Sequence, residues 1–286
     1  MSEAGRFNFD PASHPRARDT LLLRVGSAAV LAPAALLTSF AGGRIFAGLV
    51  AFLCVLMAFE WARMVERAET SKVLWALGVA AAGAIALAAA GRYPLAFAVC
   101  LVGALAAAIG SKKSPLWAAS GAYYFLAPAV ALVWLRNDVP HGRELTLLLF
   151  AIVWSADTGG YTGGRLFGGP KLAPALSPAK TWAGLAGGVL FGAIAAWFAA
   201  PYVFPDLGPA RVLAIGAGLG GASILGDIVE SGFKRRHGIK DMSGFIPGHG
   251  GVLDRLDGMI FATTATAIFL YGRILAAHVS VAGALG

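Results

Sequence analysis

The stretch Val73-Leu-Trp-Ala-Leu-Gly-Val-Ala-Ala-Ala-Gly-Ala-Ile-Ala-Leu-Ala-Ala-Ala90 contains no charged side chain. After only Gly91 and Arg92 a second such run follows, Tyr93-Pro-Leu-Ala-Phe-Ala-Val-Cys-Leu-Val-Gly-Ala-Leu-Ala-Ala-Ala-Ile-Gly110. Crossing the hydrocarbon core of a bilayer takes about 20 mostly apolar residues in a helix. Two adjoining runs of this kind, joined by a two-residue turn, read as a pair of antiparallel transmembrane helices. Working outward, the same criterion marks seven further spans, at Val25–Ala41, Ile45–Phe59, Pro115–Leu135, Leu145–Tyr161, Trp182–Phe204, Val212–Phe233 and Leu253–Tyr271. The expected fold is all-α, a polytopic membrane bundle of about nine helices.

Composition supports this. Hydrophobic residues make up 58% of the 286 and charged residues only 13%, against about 45–50% and about 25% in soluble domains. Mean hydropathy is +0.72. A water-soluble globule could not hide so much apolar surface. The 38 glycines suit close helix packing inside a bilayer. Cys54 and Cys100 lie within apolar runs and read as packing residues rather than a disulfide.

The net charge of +8 would suggest nucleic acid in a soluble protein, but here it reads as topology, with no nucleic-acid partner. With nine spans, one side of the membrane carries only Arg44, Arg92, Arg136, Arg143, Arg211 and Arg273 of the 23 basic residues. Lys and Arg accumulate in cytoplasmic segments, so the tail 1–24 and the loops 162–181 and 234–252 are expected in the cytoplasm. The leader is long for a cleaved signal peptide, so the first span is expected to be retained. The chain then divides into this tail, a chemically quiet membrane region over 25–144 of about five helices, and a catalytic membrane region over 145–286. We find no internal repeat.

Polar groups gather in the last region. Asp157, Asp227, Glu230, Asp254 and Asp257 stand at the edges of spans on one membrane side. Ionisable groups at membrane depth are costly and point to function. Asp227, Glu230, Ser231 and Lys234 share one helical face by their spacing; intrahelical ion pairs at a solvated helix end are the plainer reading of the same pattern. Carboxylates from two helices at one depth are a natural Mg²⁺ site, since that ion takes hard oxygen ligands and keeps substrate phosphates in its shell. Lys234, Arg235, Arg236, Lys240 and Arg255 could hold phosphates by charge-assisted hydrogen bonds. Together these suggest phosphoryl or nucleotidyl transfer, with anion transport still open. Ser177-Pro-Ala-Lys180-Thr181-Trp182 offers hydroxyls and a helix N-terminus suited to an anion, or simply an interfacial helix start. Of the histidines, only His249, between glycines, is placed near chemistry. The HExxH, GxxxxGK[ST] and GxSxG patterns are missing from the sequence, which removes the usual support for three enzyme classes.

The run Ser231-Gly-Phe-Lys234-Arg235-Arg-His-Gly-Ile-Lys240-Asp241-Met-Ser-Gly-Phe-Ile-Pro247-Gly-His249-Gly250-Gly251-Val-Leu-Asp254-Arg255-Leu-Asp257 closely resembles the phosphatidate cytidylyltransferase family, also called CDP-diglyceride synthases. The family pattern of Ser, Lys-Arg, Lys-Asp, His-Gly-Gly and Asp-Arg-x-Asp is filled at these spacings. The Asp157 run, the Ser-Pro-x-Lys-Thr-Trp run and Gly226-Asp227 also look like family elements, so the likeness covers about 150–275. Family members often have a second Lys and a Glu where this chain has Ala179 and Ala183. In the N-terminal half the likeness is confined to hydropathy and Glu60-Trp61.

The resemblance implies that CTP and phosphatidic acid give CDP-diacylglycerol and pyrophosphate, with Mg²⁺ and room for a second metal ion. A phosphate monoester has a second pKa near 6 and is already a dianion at neutral pH, so no strong general base is needed. It implies Asp227 and Asp254 as metal ligands with Asp257 next, and Asp227, Asp254, Lys234 and Arg255 as the catalytic group. Ser177, Lys180, Ser231, Arg235, Lys240, Asp241, His249 and Asp157 would contact substrates. A bacterial inner membrane is the expected location, and a homodimer is compatible with a glycine-rich bundle. The rival readings are a CTP-dependent polyprenol kinase and an ion or lipid-anion transporter. A CDP-alcohol phosphotransferase lacks its Asp-Gly-x-x-Ala-Arg run after Asp257.

Overall fold

In a computed structural model we describe residues 17–246 and 250–284. Nine helices span them: α1 (Ala17–Ala41), α2 (Gly43–Glu66), α3 (Lys72–Ala89), α4 (Tyr93–Gly110), α5 (Pro115–Asn137), α6 (Gly142–Phe167), α7 (Trp182–Ala199), α8 (Pro209–Arg236) and α9 (Leu253–Ala284). The runs that opened the sequence are α3 and α4, each 18 residues, or about 27 Å at 1.5 Å per residue. That just spans a hydrocarbon core of about 30 Å. A π-helical turn, Ala122–Leu126, interrupts α5. The protein is a multi-pass membrane protein.

Among the described residues seven of these helices are long and apolar enough to cross a bilayer. The apolar part of α1 is the shorter segment Gly26–Ala41. The helix α6 is 26 residues long, but Asp157, Thr158 and Thr162 interrupt its apolar stretch. Asp157 lines the cavity described below, while the Thr158 and Thr162 hydroxyls donate back to carbonyls of α6 itself.

The expected loops are shorter than 162–181 and 234–252, because α6 continues to Phe167 and α8 to Arg236. Between α6 and α7 lies a small antiparallel hairpin, β1 (Lys171–Ala173) with β2 (Ser177–Thr181), in an otherwise helical fold. Trp182 N–H donates to Pro170 O at 3.1 Å and closes its base. Thr181 caps α7, its hydroxyl accepting from Gly184 N–H at 3.0 Å.

Lipid tails are as apolar as Leu, so close packing rather than hydrophobic burial holds such helices together. The glycines supply it along α6, α7 and α8. A Cβ on Gly192 would sit 2.7 Å from Gly216 O, so α7 and α8 cross backbone to backbone. The N-terminal half packs differently, around a fully buried Trp61 whose Nε1–H donates to Trp117 O at 2.9 Å. Tyr124, Phe125 and Phe233 surround its ring at centroid distances of 5.3, 6.2 and 5.4 Å.

Several contacts sort the loops between the two ends of the bundle. Arg67 Nη2 donates to His237 O at 3.0 Å, and the Arg236 guanidinium lies 5.3 Å from the Trp117 ring centroid. The α2–α3, α4–α5 and α8–α9 connections therefore share one end. At the other, Arg136 Nε donates to Ser39 O at 2.6 Å and Gly43 N–H donates to Asn137 Oδ1 at 3.0 Å. This is the alternation that the charge pattern called for.

Candidate active site at the junction of α6, α8 and α9

The site is assembled where α8 ends and α9 begins. Gly226 makes the crossing possible: a Cβ there would collide with Asp257 O. Because nothing projects from Gly226, its neighbour Asp227 on α8 comes into interaction range of Asp257 on α9. Asp157 on α6 approaches the same place and lies near Asp227, Lys180, Arg255 and Ser223. The aspartates selected from the sequence thus converge from three helices.

Two lysines balance this charge in different ways. Lys180, carried on β2, pairs with Asp227 Oδ2, and both side chains remain partly exposed at 23% and 30%. Lys234 is more deeply set: its Nζ lies 2.8 Å from Glu230 Oε2 and 2.6 Å from Asp254 Oδ1. The other oxygen of Asp254 accepts from the backbone N–H groups of Met242, at 3.0 Å, and Gly251, at 2.7 Å. Asp254 therefore ties together α8, the 237–252 loop and the first turn of α9.

The paired glycines follow from this geometry. Gly250 has φ +84°, which an L side chain rarely adopts, and a Cβ on it would lie 2.9 Å from Asp254 Oδ2. A Cβ on Gly251 would sit 2.6 Å from Glu60 Oε1. The Gly-Gly step lets the loop turn between two carboxylates.

Two of the remaining expected residues lie on the helices that build this centre. Arg255 is exposed on α9 and Ser231 is half-buried on α8. Arg235 Nε donates to Leu176 O at 3.4 Å, joining α8 to the hairpin that carries Ser177. Lys240 and Asp241 are exposed in the loop, while His249 lies outside the described residues. Glu230, noticed in the sequence but not placed among the site residues, is almost fully buried, and its Oε1 has no hydrogen-bond partner among the described residues.

Among the described residues no three His, Cys, Asp or Glu side chains stand as a ready cation cage. Mg²⁺ rarely needs one, being held by one or two carboxylates together with waters and substrate phosphates. The hard oxygens of Asp227 and Asp257, with the orphaned Glu230 Oε1 nearby in sequence and charge, fit that ion's chemistry.

An apolar cavity of about 430 Å³ reaches this cluster from within the bundle. Ala32 of α1, Val50 of α2, Ala129 of α5 and Ile260 of α9 line it, and its polar wall is formed by Asp157, Arg255 and Thr263. Asp157 keeps its accessible surface because it lines this space.

Residues 22–272 match the cytidylyltransferase family. The chain belongs to this family. It is 34% identical over 263 residues to the phosphatidate cytidylyltransferase of Pseudomonas aeruginosa, covering 87% of this chain and 96% of that one. It is also 42% identical over 166 residues to the phosphatidate cytidylyltransferase of Brucella melitensis, and 40% identical over 170 residues to that of Haemophilus influenzae. Those matches take in 58% and 56% of this chain and 60% and 58% of the relatives' length. The stretch matched to the family, 22–272, spans the positions of Asp157, Asp227, Asp254 and Asp257.

Proposed function

We propose that the protein is a membrane-embedded phosphatidate cytidylyltransferase, joining CTP and phosphatidic acid into CDP-diacylglycerol and pyrophosphate. The observation that carries this reading is the junction of an apolar cavity with an ionic cluster. Few substrates other than an anionic lipid would fill the cavity with acyl chains while presenting a head group to Arg255. The names of the relatives support the same substrates.

In this proposal a phosphatidic acid oxygen attacks the α-phosphorus of CTP, a P–O bond forms, and the bond to the β-phosphate bridging oxygen breaks to release pyrophosphate. The attacking phosphate is already ionised near neutral pH, so the side chains need not remove a proton. Their task is to bring two polyanions together and stabilise the leaving charge. Arg255 would face the lipid phosphate, while Lys180 and Arg235, with Lys240 from the loop, would meet CTP. Ser177, Ser231, Asp241 and His249 complete the expected substrate contacts. Asp227 and Asp257 would hold Mg²⁺, and Asp254, whose oxygens engage Lys234 and two backbone N–H groups, would join them as a ligand by exchanging those partners. Bound there, the ion would neutralise phosphate oxygens and the leaving pyrophosphate.

With the loops in the cytoplasm, as the positive charge favours, CTP arrives from water and the lipid from the leaflet. A bacterial inner membrane suits both. The test is product analysis with purified protein, CTP, Mg²⁺ and phosphatidic acid vesicles. Lipid-dependent pyrophosphate release with CDP-diacylglycerol in the organic phase is expected. CDP together with a phosphorylated alcohol would instead establish the kinase reading.

A further inference from the structure

Glu60 lies on α2, far from the catalytic segment in sequence, and its residue is fully buried at 0% exposure. A carboxylate at this depth is costly unless its oxygens are engaged. They are. Oε1 accepts from Val252 N–H at 2.8 Å and from the Ser243 hydroxyl, and Oε2 accepts from Leu253 N–H at 2.8 Å.

These partners identify what Glu60 does. Arg255 N–H and Leu256 N–H both donate to Val252 O, so Val252 occupies the N-cap of α9. Helix starts ordinarily use Ser, Thr, Asp or Asn at that position, because a side-chain oxygen must receive the orphan N–H groups. Valine has none. From another helix, Glu60 instead receives two other orphan groups of the α9 start, Val252 N–H and Leu253 N–H, and places negative charge at the positive end of the α9 dipole. Its bond from the Ser243 hydroxyl ties the middle of the 237–252 loop to the same carboxylate.

We propose that Glu60 is a positioning residue for cytidylyl transfer, capping α9 from α2 and thereby setting where Asp254 and Asp257 stand. The inference rests on the proposed function for its kinetic arm only. Glu60 touches no reacting group; it acts through the α9 start. Asp254 lies one residue beyond Leu253, so a shift of the cap moves it directly. A displacement near 1 Å costs about 10²-fold in a step that depends on alignment.

The experiment compares wild type with Glu60→Gln and Ser243→Ala. An amide at position 60 turns a donor toward Leu253 N–H, whereas Ser243→Ala releases the loop and leaves the α9 cap. Steady-state kinetics are measured per folded molecule, alongside tryptic cleavage at Lys240. Glu60→Gln is expected to lower kcat about 10²-fold with KM for CTP little changed, and both variants to speed cleavage at Lys240. Wild-type kcat and cleavage in Glu60→Gln overturn the proposal. If Glu60→Gln does not fold, Glu60→Asp decides, since the shorter carboxylate draws back from the α9 start: a lower kcat with KM for CTP unchanged supports the proposal and wild-type kcat overturns it. An inactive wild type would sink the proposed reaction, while the cleavage comparison would still judge the clasp.

Discussion

Lys234 on α8 and Asp254 on α9 meet at 2.6 Å, with Glu230 a further 2.8 Å from the same ammonium. Their side chains are 14%, 7% and 2% exposed. One buried cation therefore serves two buried anions and locks two helices at the level of the site. Removing one member of such a cluster costs about 3–5 kcal/mol, because it strands the others. Lys234→Met should lower the melting temperature in detergent sharply. In a double-mutant cycle, adding Asp254→Asn should cost less than it does alone. Additive losses would mean that the two do not act as a pair.

The Lys180–Asp227 pair is half-buried, at 23% and 30% exposure. Solvent screens it more than it screens the Lys234 cluster, so it holds the fold less strongly. Asp227→Asn should thus lower the melting temperature less than Lys234→Met does while abolishing CTP-dependent turnover. Undiminished turnover in that variant would remove Asp227 from the metal site.

Gly226 and Gly218 lie on the same helix in opposite circumstances. A Cβ at 226 collides with Asp257 O, whereas one at 218 meets nothing within 4 Å. Gly226→Ala should force α8 from α9 and depress both stability and turnover. Gly218→Ala should be neutral or stabilise by about 0.5–1 kcal/mol, the usual helix-interior preference for Ala over Gly. Thermal unfolding of the two variants side by side checks this.

The cavity gives a prediction separable from catalysis. Ala32 lines it from α1, remote from the CTP groups. Ala32→Phe should raise KM for long-chain phosphatidic acid more than for short-chain, with KM for CTP unchanged. Equal effects on both lipids would place the acyl chains elsewhere.

The helices were legible because each carries its own apolar run, and the convergence of Asp157, Asp227 and Asp257 because polar groups inside such runs stand out. What escaped the sequence depends on distant partners. The hairpin is only three and five residues per strand, too short for alternation to register. Lys234 with Glu230 could be read from i,i+4 spacing, but not its bond to Asp254. Glu60 was visible only as a family likeness, since its partners lie 183, 192 and 193 residues away. The one local clue was an apolar Val252 at the start of α9, a helix lacking its own cap.

The central claim is that the α-phosphate of CTP moves to phosphatidic acid. Purified protein in phosphatidic acid vesicles with Mg²⁺ should be given CTP labelled at either the α- or the γ-phosphate. The account predicts α-label in the extracted lipid and γ-label in aqueous pyrophosphate, both lost with EDTA and in Asp227→Asn. Label from the γ-phosphate in the lipid, or α-label remaining wholly in water, would contradict it.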